Sequence, residues 1–220
     1  MKIYFINPPF KAEYGKFSRE SRSPCIGHSG VLYYPLWLIY AAAYCKKCGH
    51  EVLFFDAPAK QYDFQKSLEI IKEKGEGTGL FVINTSTPSI YSDVEFCNSI
   101  KMLFKSALTV LVGTHPSATV EETFALSDSI DCIARKEYDF TVKKLADAIE
   151  NSDDLSVVDG LSYRQGGEIK HSADAQYIEN LDEIPFASQF IKEYLDVDDY
   201  VFPASALPEI QIFTGRGCPA

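Results

Sequence analysis

Along the first 150 residues, short apolar runs alternate with amphipathic stretches, the pattern of βαβ units around a parallel sheet. Five runs read as strands. Residues 2–7 are stopped by Pro8-Pro9, 50–56 by Ala57-Pro58, and 80–85 run into Ser86-Thr87-Pro88-Ser89. Residues 108–112 run into Gly113-Thr114-His115-Pro116, and 131–134 into Arg135-Lys136-Glu137. Between them lie helix candidates over 35–48, ended by Gly49, and over 63–74, 90–105, 120–126 and 140–150. The fold class expected is α/β: a Rossmann-like, flavodoxin-like five-stranded parallel sheet with helices on both faces. After residue 151 the pattern changes. Residues 160–170 read as a β-hairpin turning at Gly166-Gly167, 181–187 with Pro185 as an extended linker, and 209–213 as a new strand. The expected division is an α/β domain over 1–150, a hairpin and linker over 151–208, and the start of a further domain over 209–220.

Composition agrees with a globular chain. At 220 residues, with 46% hydrophobic and 24% charged, it is long and apolar enough to hold a core, which excludes disordered and fibrous classes. The longest apolar stretch, 31–44, falls short of the roughly 20 residues that span a bilayer, and the first residues lack the apolar run of a signal peptide. No membrane segment and a cytoplasmic location are therefore expected. The net charge of -10 is unevenly placed: residues 1–120 are nearly balanced, whereas 121–200 carry 7 basic against 20 acidic side chains. Such a surface repels phosphate backbones, so no nucleic-acid binding is expected of this chain. The six cysteines show no framework spacing and are expected to be reduced. Cys45-Lys46-Lys47-Cys48 has the spacing of a redox or zinc pair, but it ends a helix and has no second pair. Cys45 is expected to face the core and Cys48 to sit at the cap, with Cys97 and Cys132 as core thiols.

In an open parallel sheet, ligands bind beyond the carboxyl ends of the strands. Three loops there are rich in small polar residues: Asn7-Pro8-Pro9, Thr85-Ser86-Thr87-Pro88-Ser89 and Gly113-Thr114-His115-Pro116-Ser117. Their hydroxyls both donate and accept, and Gly113 permits close backbone approach, so together they suit a ligand bearing amides and a phosphodiester. Helix capping is the competing reading for each one taken singly. Neither Gly-x-Gly-x-x-Gly nor Gly-x-x-x-x-Gly-Lys-Ser/Thr occurs, and Asn84-Thr85 stands where a phosphoacceptor domain needs aspartate. The long connection over 10–34 reads as a lid or cofactor-facing loop, with a surface insertion as the alternative. Its basic residues are expected to be solvated, and Trp37 to belong to the core.

Several segments, in order, resemble the amino-terminal part of cobalamin-dependent radical S-adenosylmethionine enzymes. They are Asn7-Pro8-Pro9; Tyr34-Pro35-Leu36-Trp37 leading to Gly49-His50-Glu51-Val52; Gly113-Thr114-His115-Pro116-Ser117; Arg135-Lys136-Glu137-Tyr138-Asp139; Leu181-Asp182-Glu183-Ile184-Pro185-Phe186; and Thr214-Gly215-Arg216-Gly217-Cys218-Pro219. The resemblance implies that the last motif opens a Cys-x-x-x-Cys-x-x-Cys loop, whose three thiolates hold a [4Fe–4S] cluster with one iron open for S-adenosylmethionine. Cys218 is then the first cluster ligand. With Ala220 as the last residue, the second and third cysteines are expected to be missing, and the chain to be inactive alone. Its partners would be cobalamin and the missing radical domain, and the reaction methyl transfer, with another radical rearrangement left open.

The same resemblance places cobalamin against Asn7, Pro8, Pro9, Ser86, Thr87, Pro88, Ser89, Gly113, Thr114, His115, Ser117, Glu137 and Tyr138. It implies binding with the corrin across the strand ends and the dimethylbenzimidazole tail displaced from cobalt, inserted between Ser86-Thr87 and Gly113-Thr114. The Asp-x-His-x-x-Gly motif that supplies a lower histidine ligand is absent, so no cobalt ligand is expected from the loop after strand one, His28 being the only stand-in. Lys136 and Thr114 also replace glycines usual in the family. Two other readings remain open: an α/β interaction or regulatory module that kept the fold without the cofactor, and a nucleotide-binding enzyme of the same topology.

Overall fold

The structure, a computed structural model, describes residues 1–11, 16–20, 26–27, 30–202 and 208–216. Its centre is the parallel set β1 (Lys2–Asn7), β4 (Glu51–Asp56), β5 (Leu80–Asn84), β6 (Leu108–Val112) and β7 (Cys132–Ala134). The short strands β2 (Lys16–Phe17) and β3 (Ile26–Gly27) pair with each other in the connection after β1. The hairpin β8 (Leu161–Gln165) and β9 (Glu168–His171) adds antiparallel to β7, giving a seven-stranded sheet in the order β4-β1-β5-β6-β7-β8-β9. The parallel strands thus follow the 2-1-3-4-5 order of flavodoxin-like folds. The hairpin is not an appendage after the sheet, as the sequence suggested, but its extension.

Alternation along the strands sorts side chains to two faces. Ile3 and Phe5 of β1 and Leu80 and Val82 of β5 join a core with helices α1 (Leu36–Lys47), α7 (Asp139–Asn151) and α8 (Ala187–Tyr194). On the other face Tyr4, Ile6 and Phe81 meet α3 (Phe64–Lys74) and α4 (Ile90–Leu103), while Ile83, Leu111 and Ile133 meet α4 and α6 (Val120–Ala125). Buried on both sides, β5 is apolar without interruption until Asn84. The short helices α2 (Ala57–Lys60) and α5 (Thr114–Ala118) follow β4 and β6 directly. Helix starts use local caps: the Asp63 carboxylate accepts from Lys66 N–H at 2.8 Å, and Asp56 from Ala59 N–H at 3.4 Å. Cys45 is buried at the α1 interface and Cys48 is exposed at its carboxyl end, while Cys97 and Cys132 are buried. Among the described residues no helix is long and apolar enough to cross a membrane.

Three expectations change. Residues 181–187 are not extended: a 3-10 turn, Leu181–Glu183, leads into α8, whose Ala187, Phe190 and Ile191 lie one helical turn apart and bury against α1. Residues 114–118 are helical rather than loop. Residues 209–213 form no strand. Their backbone instead uses tyrosine hydroxyls, Tyr34 Oη donating to the Glu209 carbonyl at 2.9 Å and Phe213 N–H donating to Tyr40 Oη at 3.2 Å.

Candidate cofactor site at the strand ends

At the carboxyl ends of β1 and β4, Asn7 and Asp56 are register partners, and the Asn7 amide donates to the Asp56 carboxylate at 2.9 Å. Tyr200 Oη donates to the other Asp56 oxygen at 2.7 Å. Burial pushes the Asp56 carboxyl up, and the bonds from Tyr200, Asn7 and Ala59 hold it back. The Asn7 carbonyl oxygen in turn accepts from Arg19 at 3.0 Å, and Pro8 O from the same nitrogen at 2.9 Å. The Arg19 guanidinium forks onto Asp93, at 2.5 and 3.4 Å, with both side chains out of solvent. Ser89 Oγ adds a 2.6 Å bond to Asp93 and shares 2.8 Å with Ser86 Oγ. A single buried network therefore ties β1, β4, the connection after β1, and the start of α4. Arg19 is the correction to the expectation that basic residues of that connection are solvated: a buried aspartate one helix away selects it.

Beside this network a cavity of about 680 Å³ opens, within the usual size of small-molecule sites. Asn84 and Thr85 wall it from β5, Gly113, Thr114, Ser117 and Ala118 from the β6 end, and Lys136 to Asp139 from the β7 end. Arg19 and Glu20 close it from the connection and Trp37 from α1. Gly113 has φ of 124°, and a Cβ there would lie 2.1 Å from Thr85 O, so only glycine lets β6 turn away against β5. Lys136, at φ 60°, is held in the left-handed region by a 2.6 Å bond from its N–H to Ser117 Oγ.

Two hydroxyls on this wall, Thr85 Oγ1 and Tyr138 Oη, are buried and have no hydrogen-bond partner among the described residues. Burial, with the charges of Glu20 and Asp139 adding to it, pushes the Tyr138 phenol well up, so it remains a donor. Glu20 accepts from the Asn84 amide at 3.4 Å. Burial raises its carboxyl to about 8 against the opposing effects of Asn84 and Arg19. Among the charged side chains of the wall, Thr85, Tyr138 and the protonated Glu20 are thus neutral groups able to donate, which suits a ligand rich in carbonyl acceptors.

Of the residues expected to bind, Gly113, Thr114, Ser117, Glu137 and Tyr138 line this cavity. Asn7 and Pro8 belong to the network, with Pro9 buried alongside, and Ser86 and Ser89 bond each other in the turn that leads into α4. Thr87 and Pro88 are exposed on the rim, where Thr87 Oγ1 and His115 Nδ1 meet at 3.2 Å. That contact joins the two loops, of which Thr85, Gly113 and Thr114 wall the cavity and Ser86 and Thr87 do not. The open volume lies on the other side of the Thr85–Gly113 ridge, towards Tyr138. Sequence reasoning missed Arg19, Glu20, Asn84, Lys136 and Asp139; Trp37, expected in the core, is half-buried, packing against the core and also walling the cavity. His28 and Cys218 lie outside the described residues.

The fold is similar to that of solved cobalamin-dependent radical enzymes. The chain superposes on OxsB, a cobalamin-dependent S-adenosylmethionine radical enzyme with aqua-cobalamin and S-adenosylmethionine bound, with a TM-score of 0.68 and 16% identity, over 87% of this chain and 24% of that one. It also matches TsrM, a radical S-adenosylmethionine methyltransferase from Kitasatospora setae with cobalamin and a [4Fe–4S] cluster, at TM-score 0.62 and 15% identity, over 84% of this chain and 30% of that one.

Among curated proteins, an uncharacterized methyltransferase of Pyrococcus horikoshii is 28% identical over 219 residues, 100% of this chain and 44% of the relative. The anaerobic magnesium-protoporphyrin IX monomethyl ester cyclase of Synechocystis is 24% identical over 222 residues, 100% of this chain and 41% of the relative. No protein-family model matches. The chain spans less than half the length of these relatives. The resemblance read from the ordered motifs and the likeness found in structure point to the same group of enzymes.

Proposed function

We propose that this chain is the cobalamin-binding portion of a radical S-adenosylmethionine methyltransferase. The observation that carries the reading is the open cavity at the strand ends, walled by the obligatory Gly113 and by the unpartnered hydroxyls of Thr85 and Tyr138. An interaction module that had lost its cofactor would fill this crevice with bulky side chains. Here it is open, in a fold whose solved likenesses hold cobalamin.

The residues present fit such a cofactor. Thr85, Tyr138 and the protonated Glu20 offer donors to side-chain amide carbonyls of the corrin or to the nucleotide tail. Gly113 lets that tail lie close along the backbone, in the open volume towards Tyr138. The sequence after β1 lacks the Asp-x-His-x-x-Gly motif, which supports binding without a cobalt ligand from that motif. Cobalamin, when bound, supplies methyl-transfer chemistry at cobalt. In the whole protein Cys218 would be one ligand of a [4Fe–4S] cluster that binds S-adenosylmethionine.

The test is titration of the chain with hydroxocobalamin, followed by its visible spectrum, by calorimetry and by quenching of Trp37, the single tryptophan. A saturable one-to-one change in all three is expected. No heat, spectral change or quenching up to the solubility limit overturns the reading, and stabilisation by nucleotides alone would assign the crevice to a different ligand.

A further inference from the structure

Trp37 and Tyr40 lie one helical turn apart on α1 and Tyr34 just ahead of its cap residue Pro35, and together they make an aromatic stripe. Residues 208–216 lie along that stripe. Besides the two backbone bonds from and to the tyrosine hydroxyls, Phe213 stacks on Trp37 with ring centroids 5.0 Å apart. The segment ends in a clamp. Arg216 forks onto Asp139 in the first turn of α7, at 2.6 and 3.1 Å, with both side chains nearly out of solvent. The same guanidinium lies 5.0 Å from the ring centroids of both Trp37 and Tyr40. A planar cation that is bidentate on a carboxylate and stacked on two rings has one pose, which a flexible ammonium could not reproduce. Two of the residues holding Arg216, Trp37 and Asp139, are also walls of the cavity.

We propose that Arg216 is a positioning residue: it fixes the 208–216 segment on the rim of the cavity, and through the shared Trp37 and Asp139 the docking of that segment and the filling of the cavity reinforce each other. The second half rests on the cobalamin reading of the cavity. Under that reading, with Cys218 two residues further along the sequence, Arg216 sets the register between cofactor and cluster loop.

The test needs no cofactor in its first arm. Because Trp37 is the only tryptophan, its emission and its quenching by acrylamide report whether the segment is docked. Arg216→Ala and Asp139→Asn are expected to shift the emission to the red and to raise quenching, with the circular-dichroism melting transition retained. Arg216→Lys is expected to restore the signal only in part. Phe213→Ala, which removes the stack but not the clamp, serves if Arg216→Ala does not fold, and is expected to raise quenching less than Asp139→Asn. Emission and quenching unchanged in both Arg216→Ala and Asp139→Asn would overturn the clamp.

The second arm repeats the hydroxocobalamin titration. A loss of about tenfold in affinity for Arg216→Ala is expected, the scale of one strong cation–π contact. Equal affinity in wild type and variant, with the segment released, overturns the coupling. If hydroxocobalamin binds neither protein, the cobalamin reading fails and with it the coupling, while the tryptophan arm still decides the clamp.

Discussion

The carbonyl oxygen of Thr85 stands 2.1 Å from the point a Cβ on Gly113 would occupy, so the ends of β5 and β6 touch through a hydrogen atom. This contact is the ridge on which the cavity is built: it closes one side of the polar loops and leaves the other open towards Tyr138. Gly113→Ala would collide with backbone, which cannot rotate away, and would force alanine into a φ region that is essentially glycine-only. A loss of about 2–5 kcal/mol is expected from the clash and the backbone strain together. Urea denaturation checks it. A loss below 1 kcal/mol, on the scale of an ordinary surface change, would mean that the ridge yields.

The Arg19–Asp93 pair tests the buried network beneath the site. Removing the guanidinium by Arg19→Met strands the Asp93 charge, leaves Pro8 O without its donor and leaves Asn7 Oδ1 with only the 3.4 Å bond from the Asn84 amide. Breaking such a pair costs about 3–5 kcal/mol. The double variant Arg19→Met with Asp93→Asn removes the stranded charge and is expected to be more stable than Arg19→Met alone. A double-mutant cycle measured by denaturation would show this as a coupling of 1 kcal/mol or more in favour of the native pair. Strict additivity would mean that Arg19 acts through Asn7 and Pro8 only.

These two cases mark what could be read from the chain. The five parallel strands were legible because strands buried on both faces are written as unbroken apolar runs ending in turn residues, as in Leu80 to Asn84 before Thr85-Ser86. Gly113 was legible for the same reason, as a glycine where backbone must come close. Arg19 was not, since its burial is decided by Asp93, which is 74 residues away and leaves no local signature. The run Ile210-Gln211-Ile212-Phe213 alternates like a strand, yet no strand is offered to it. The aromatic stripe over residues 34–40 bonds the Glu209 carbonyl and the Phe213 N–H instead, and only the three-residue spacing of Tyr34, Trp37 and Tyr40 hinted at that. Helix α8 was hidden by its eight residues and by Pro185 just before it.

Glu20 makes stability depend on pH in a stated direction. Its carboxyl is raised from 4.5 to about 8 in the folded protein, so the folded state holds this proton where the unfolded chain has released it. Stability from this group is full below about pH 4.5 and is lost as pH rises through 8. Glu20→Gln removes the titration while keeping the shape. The stability of Glu20→Gln relative to wild type is therefore expected to rise steadily between pH 5 and 8.5, as read from parallel urea melts. The raised carboxyl of Asp93 tilts both proteins alike, whereas the charge of Asp56 adds to the shift of Glu20 and so belongs to the difference. Melting curves that stay a constant distance apart across this range would place Glu20 in solvent-like surroundings.

Thr85 and Tyr138 separate a ligand site from a structural one, because their hydroxyls are buried without partners. A buried unpaired hydroxyl costs about 1–3 kcal/mol, so Thr85→Val and Tyr138→Phe, which keep the shape and delete the polar atom, are expected to stabilise the free chain. Were those groups kept for packing alone, nothing would be lost with them. If they donate to a bound cofactor, each deletion instead weakens hydroxocobalamin binding by about 0.5–1.5 kcal/mol, roughly two- to tenfold, while raising the melting temperature. Opposite signs for stability and affinity in the same variant are the signature of a site that tolerates unsatisfied groups for the sake of its ligand. Variants that gain stability and bind hydroxocobalamin as tightly as wild type would remove both hydroxyls from the ligand contacts.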